Sequence, residues 1–251
     1  MDIDLNGIRV RSNTVGPDSE PLLLCLHSLA TDLQVWDGQM EALSQHFRVL
    51  RLDMRGHGGS EATFPPYSLE LLVSDAIAAL DALDIEHAHV MGLSIGAMIA
   101  LGMAIEHPSR VDRLIVADAR ADAPQPYVDM WDAAIRTIQG SGIGPVIDQS
   151  VERWFTPAFR TREPAAVERV RTTALGTSID GYVGCARAVQ QVAYLSSLHR
   201  ITSPTLFIVG EKDPVASPEI ISATTMWAPS QASAIAHAWP MPRAAPVTMA
   251  I

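Results

Sequence analysis

Cysteine is scarce in this chain, with two residues in 251, Cys25 and Cys185. Leu24 and Leu26 flank the first, and Gly184 and Ala186 flank the second. Both read as buried free thiols, as expected in a reducing cytoplasm. A zinc site or a thiol nucleophile needs partners at short spacing, and neither cysteine has them. No metal and no cofactor are therefore expected. Basic charge is also short: 18 Lys and Arg stand against 28 Asp and Glu, a net charge of −10. That balance excludes the basic footprint that nucleic-acid binding requires, and it disfavours anionic membranes. The start, Met1-Asp2-Ile3-Asp4, lacks the basic and apolar regions of a signal peptide, and no apolar run reaches membrane-spanning length. The expectation is a cytoplasmic chain with no membrane partner. Internal repeats are missing too, and low complexity is confined to an Ala-, Pro- and Ser-rich tail from about Ala228.

What is present is apolar material for a core. Apolar residues make up 48% and charged residues 18%, which suits one large α/β domain better than two independent ones. Asn6-Gly7, flanked by Ile3, Leu5, Ile8 and Val10, signals a type I′ hairpin. Leu22–Leu26 is a continuous apolar run, as in a strand covered on both faces of a parallel sheet. Trp36, Met40, Leu43 and Phe47 are spaced for one helix face. Arg48–Leu52 is a further strand, ending in the glycine-dense turn Asp53–Ser60. Tyr67–Leu83 reads as an amphipathic helix, 88–91 as a strand, Ile95–Glu106 as a helix stopped by His107-Pro108, and Arg113–Ala117 as another strand. This alternation predicts a mostly parallel, doubly wound α/β sheet. From 122 to 198 only helical segments follow (Tyr127–Gln139, Ile143–Trp154, Pro164–Thr173 and Gly181–Tyr194), so 122–198 is read as a helical lid. The core then comprises 1–121 and 199–251, with a last strand at Pro204–Val209.

Strand 88–91 runs into Gly92-Leu93-Ser94-Ile95-Gly96. A serine that attacks a carbonyl must stand clear of the sheet on a turn too tight for flanking side chains, and glycine alone carries no Cβ. The helix that follows directs its N-terminal N–H groups at a developing oxyanion. Ser94 is therefore the candidate nucleophile. Its acid is Asp213, past the strand ending at Val209, in the chain order Ser…Asp…His; Asp118 is the alternative acid, and a solvated turn aspartate the plain reading of Asp213. The oxyanion donors are the backbone N–H of Ile95 and, from the loop after the first parallel strand, that of Leu29, with Ser28 beside it. His27 and His57 are read as loop-tying histidines and His107 as a helix-end residue.

His27-Ser28-Leu29, Asp53-x-Arg55-Gly56-His57-Gly58-x-Ser60, Gly92-x-Ser94-x-Gly96 and Gly210-Glu211-Lys212-Asp213 together resemble the α/β-hydrolase fold superfamily over residues 1 to about 220. Within it the sequence is most similar to 3-oxoadipate enol-lactonases, in Ser28-Leu29-Ala30-Thr31-Asp32-Leu33-Gln34-Val35-Trp36-Asp37, in Arg153-Trp154-Phe155-Thr156-Pro157-Ala158-Phe159-Arg160 and in Gly181-Tyr182-Val183-Gly184-Cys185. The resemblance implies cofactor-free hydrolysis of a small enol-lactone in aromatic catabolism. Ser94 would attack the lactone, Asp213 would hold a histidine, and Ser28, Trp154 and Arg160 (or Arg162) of the lid would meet the substrate. Its partner would be that small molecule, and a homo-oligomer is compatible with it. A carboxylesterase, a C–C bond hydrolase of the same fold, or a catalytically impaired protein are the alternative readings.

The tail departs from the resemblance. A last strand, a Gly-His and a final helix are implied, and none is legible, so the C-terminal strand and helix read as missing or altered. The sole histidine after Asp213 is His237, which stands as the base or as an incidental residue. One coding of Ala244–Ile251, read out of phase, spells Gly-Ala-Gly-His-His-Gly-Asp. A reading-frame change would account for the departure, and gene sequencing tests it.

Overall fold

The computed structural model describes residues 2–216. The expected alteration of the C-terminal strand and helix lies outside them. Among the described residues, seven strands form one sheet in the order β1-β2-β4-β3-β5-β6-β7. β1 (Asp2–Leu5) and β2 (Ile8–Val15) form the antiparallel hairpin, joined at Asn6 and Gly7, both at positive φ. That is the backbone a type I′ turn demands. β2 joins β4 (Arg48–Leu52) antiparallel, and from there β4, β3 (Leu22–Leu26), β5 (Ala88–Leu93), β6 (Val111–Ala117) and β7 (Thr205–Ile208) run parallel.

Side chains alternate across a strand, and here both faces are buried. Leu24, Leu26, Leu50, Leu52 and Val90 join one apolar cluster with α2 (Leu69–Ala82) and α3 (Ile95–Glu106), while Leu23, Cys25, Val49, Met91 and Leu93 join another beneath Trp36 and α1 (Asp37–Leu43). The sheet is doubly wound, as the continuous apolar strands required. The first helix differs from expectation. Leu33–Trp36 is a 3-10 turn capped by Asp32, α1 begins only at Asp37, and Phe47 follows the helix rather than extending its face. α2 likewise starts at Leu69, because the Ser68 hydroxyl accepts the Leu71 N–H (3.2 Å) and caps it there.

The insertion holds five helices: α4 (Gln125–Ser141), α5 (Gly144–Trp154), α6 (Pro157–Arg162), α7 (Pro164–Leu175) and α8 (Ile179–Val189). Prolines open α5, α6 and α7, where the missing N–H costs nothing. Sequence periodicity passed over α6, although Thr156-Pro157 is an N-cap followed by proline: the Thr156 hydroxyl accepts the Phe159 N–H at 3.3 Å. α8 ends at Val189, five residues short of the expected Tyr194, and Ala193 turns back to bridge Asp122 at the insertion's entry.

Candidate active site

Ser94 sits between β5 and α3 at φ 54°, ψ −116°. A non-glycine residue there is strained by roughly 1–3 kcal/mol and persists only where its surroundings over-determine it. The Ser94 N–H donates to the Ala117 carbonyl of β6 (2.9 Å). A Cβ on Gly92 would run into the Gly96 carbonyl, and one on Gly96 into the Leu26 and His27 carbonyls. The two glycines therefore let the start of α3 rest directly on the end of β3. Ser94 is half-buried, whereas every residue from Ile95 to Ile105 is buried. Ile95 is the first residue of α3, so its N–H is among those without an intrahelical acceptor.

The loop carrying Ser28 and Leu29 leaves β3 beside this turn, since Leu26 pairs with Gly92 in parallel register. It is held from inside. His27, fully buried, accepts the Met54 N–H at Nε2 (2.8 Å), which leaves Nδ1–H to donate to the Ser28 carbonyl (2.8 Å). The Thr31 hydroxyl donates to the same carbonyl (2.8 Å). One tautomer satisfies both ring nitrogens, and burial pushes the His27 pKa down to about 4. His57 donates Nδ1–H to the Arg55 carbonyl (3.1 Å), and burial, with His27 beside it, lowers its pKa to about 3. Neither is poised to gain a proton at neutral pH. His107 is the C-cap of α3.

The Asp53–Ser60 turn is a clamp. The Asp53 carboxylate, itself without solvent exposure, accepts N–H groups from Leu33 (2.7 Å) and Gly59 (2.7 Å), with the Arg11 guanidinium 3.4 Å away. A Cβ on Gly58 would collide with that carboxylate. Arg55 makes a bidentate ion pair with Asp75 of α2 (2.8 Å each). Apolar periodicity gave no sign of Asp75, because its burial depends on a partner 20 residues away.

The acid end of the site is equally ordered. Asp213 is buried, and its Oδ1 accepts the Val215 (2.6 Å) and Ala216 (3.0 Å) N–H groups. Asp118, at φ 47° past β6, accepts the Gly210 N–H (2.8 Å) and faces Asp213. Burial, with the neighbouring Asp213 carboxylate adding to it, raises the Asp118 pKa to about 7. Asp118 thus braces the turn that carries Asp213. Arg120 tightens it further, donating to the Val215 carbonyl (3.2 Å) and pairing with Asp122 (2.9 Å).

A cleft of about 780 Å³ opens between the Glu152–Phe159 segment and the Gly210–Pro214 turn. Asp213 and Trp154 line it; Ser94, Ser28 and Arg160 do not. Arg160 is half-buried, and its Nε has no hydrogen-bond partner among the described residues. Arg162 lines the cleft, but it lies over the Phe159 ring and 3.5 Å from Glu163. A second void, of about 20 Å³ beneath Asp75, has room for little more than water. His237 lies outside the described residues. Both cysteines are buried and free, and burial pushes their thiols up, away from the reactive thiolate form. Among the described residues no group of His, Cys, Asp and Glu could hold a metal ion, and no helix is long and apolar enough to cross a membrane.

Residues 21–238 match the family described as alpha/beta hydrolase fold. The chain is 33% identical over 202 residues to "3-oxoadipate enol-lactonase 2" of Acinetobacter baylyi, covering 80% of this chain and 75% of that one. Among solved structures, the enol-lactonase from Burkholderia xenovorans LB400 superposes with a TM-score of 0.90 at 30% identity, covering 94% of this chain and 90% of that one. A hydrolase from Pseudomonas aeruginosa PA01 does so at TM-score 0.90 and 31% identity, over 95% and 90%. With the Gly92–Gly96 turn, the doubly wound sheet and this coverage in agreement, the chain belongs to the α/β-hydrolase fold family.

Proposed function

We propose that this chain hydrolyses a small carboxylic ester or lactone through Ser94, with 3-oxoadipate enol-lactone as the substrate and aromatic catabolism in the cytoplasm as the setting. The observation that carries the reading is the strained Ser94 turn, held by backbone on three sides. The 33% identity to a relative named an enol-lactonase supports the substrate. The partner is this small molecule, with no nucleic acid, membrane or cofactor required.

In this mechanism the Ser94 hydroxyl attacks the lactone carbonyl, and a histidine takes its proton. The carbonyl oxygen becomes an oxyanion held by the Ile95 and Leu29 N–H groups, and such preorganised donors typically supply roughly 10²–10³-fold in rate. Collapse breaks the ring C–O bond, the histidine protonates the leaving enol oxygen, and water then releases the acyl group by the same steps in reverse roles. Asp213, with two N–H groups fixing one carboxylate oxygen, orients that histidine; His237 is the residue proposed for it.

A fluorophosphonate probe tests the nucleophile. Labelling of the native chain and none of Ser94→Ala is expected, and an unlabelled native chain overturns the hydrolase proposal. Assay of the enol-lactone beside p-nitrophenyl acetate tests the substrate. Turnover of the acetate alone leaves an esterase and removes the lactonase reading.

A further inference from the structure

Arg153 is the penultimate residue of α5, half-buried on the wall of the cleft that Asp213 also lines. Its guanidinium has no carboxylate partner among the described residues. Among the described residues its guanidinium makes a long hydrogen bond, 3.4 Å from Nη2 to the Ser150 hydroxyl, itself 2% exposed. The other cations near the cleft are engaged or open to water: Arg162 beside Glu163 and over Phe159, Arg120 with Asp122, and Lys212 exposed.

The surroundings of Arg153 make its isolation costly. Its charge is felt by the phenols of Tyr127 in α4 and Tyr182 in α8, both buried, and that of Tyr127 also feels Asp213. Arg153 and Asp213 thus line one cleft. A partly desolvated cation loses hydration that no carboxylate among the described residues returns, and a guanidinium fork matches a carboxylate in a bidentate way.

We infer that Arg153 is the specificity-determining residue of the cleft, binding a free carboxylate carried by the substrate at the end remote from the scissile bond. The inference rests on the serine-hydrolase reading above and assigns the residue that receives the carboxylate of its anionic substrate. It selects Arg153 over Arg160, which does not line the cleft, and over Arg162, which has Glu163 and Phe159 as neighbours.

Two p-nitrophenyl esters test it, the acetate and the monoanionic hemisuccinate, with the native chain, Arg153→Gln and Arg153→Lys. The hemisuccinate kcat/KM of Arg153→Gln should fall by roughly 10- to 100-fold, the loss of one charged hydrogen-bonded contact. The acetate should change by less than about 3-fold, with Arg153→Lys in between on the hemisuccinate. Equal losses on both esters would mark a purely structural residue and overturn the inference, as would no loss on either. Calorimetric titration with glutarate keeps the question apart from turnover. Binding by the native chain and by Ser94→Ala, at least tenfold weaker in Arg153→Gln, supports the anion site even if the hydrolase proposal fails. No binding, or equal binding by the Arg153 variant, overturns it.

Discussion

α8 and the α6–α7 pair belong to the same insertion and could hardly be held more differently. In α8, eight of eleven residues are buried; in α6 none is, and in α7 Ala174 alone is. The backbone of α8 touches the core directly. A Cβ on Gly181 would strike the Gly56 carbonyl, and one on Gly184 would strike the Tyr67 ring. Cys185 comes close enough to the buried Arg55–Asp75 pair for its thiol to feel both charges. α6 and α7, by contrast, hold by surface pairs such as Arg171 to Asp148 (2.8 Å) and by partial burial of Val167. Helical insertion is thus one word for two structures, a helix docked on the Asp53–Ser60 clamp and a strap that rides outside it.

Acid should expose the difference most strongly. His27 and His57 titrate near 6.5 when unfolded and near 4 and 3 when folded. Their folded pKa values are depressed, so the unfolded state binds more protons below about pH 6.5. Stability is full above that pH and is lost as pH falls through 6.5 toward 4, by an amount on the order of several kcal/mol. His57 adjoins Gly56, the residue on which α8 rests. Hydrogen exchange at pH 5 against pH 7.5 should therefore show α8 losing protection while α7, with Ala174 alone buried, changes little. Equal loss in both helices would erase the distinction.

Gly181→Ala should come next. The added methyl meets backbone, which cannot swing aside, and overpacking of this kind costs about 3 kcal/mol. In a chain of this size that lowers Tm by roughly 6–12 °C, read by thermal denaturation. Ala165→Gly on the exposed side of α7 should cost at most about 1 kcal/mol, helix propensity alone. A larger drop there would mean that the strap is tied down as firmly as α8.

Local signals in the sequence carried much of this architecture. α3 runs over the expected Ile95–Glu106 because the elbow glycines and His107-Pro108 mark both ends, and Leu22–Leu26 announced its burial by having no polar alternation. What escaped was non-local. Asp75 is buried only through Arg55, and α8 owes its depth to two glycines that fit against Gly56 and Tyr67. Arg153 sits in a sequence motif of the insertion, yet its place on the cleft and its lack of a carboxylate partner among the described residues are facts of three dimensions. Trp154 and Asp213 share that cleft, whereas Arg160 stands off it.

The Ser94 turn also has a consequence in time. Its strained backbone is held by Ala117 of β6, by the Leu26 and His27 carbonyls at the end of β3, and by Gly96 of α3. No fragment holding β5 and α3 alone contains those partners, so the geometry of the Ser94 turn exists only after three strands have paired. On the function proposed above, an incompletely folded chain would carry an ordinary, unreactive serine, and reactivity would arrive with the last of the sheet's central pairings. Labelling of Ser94, if the native chain is labelled as proposed, would then double as a clock for folding, sensitive to the assembly of the sheet rather than to the formation of any one helix.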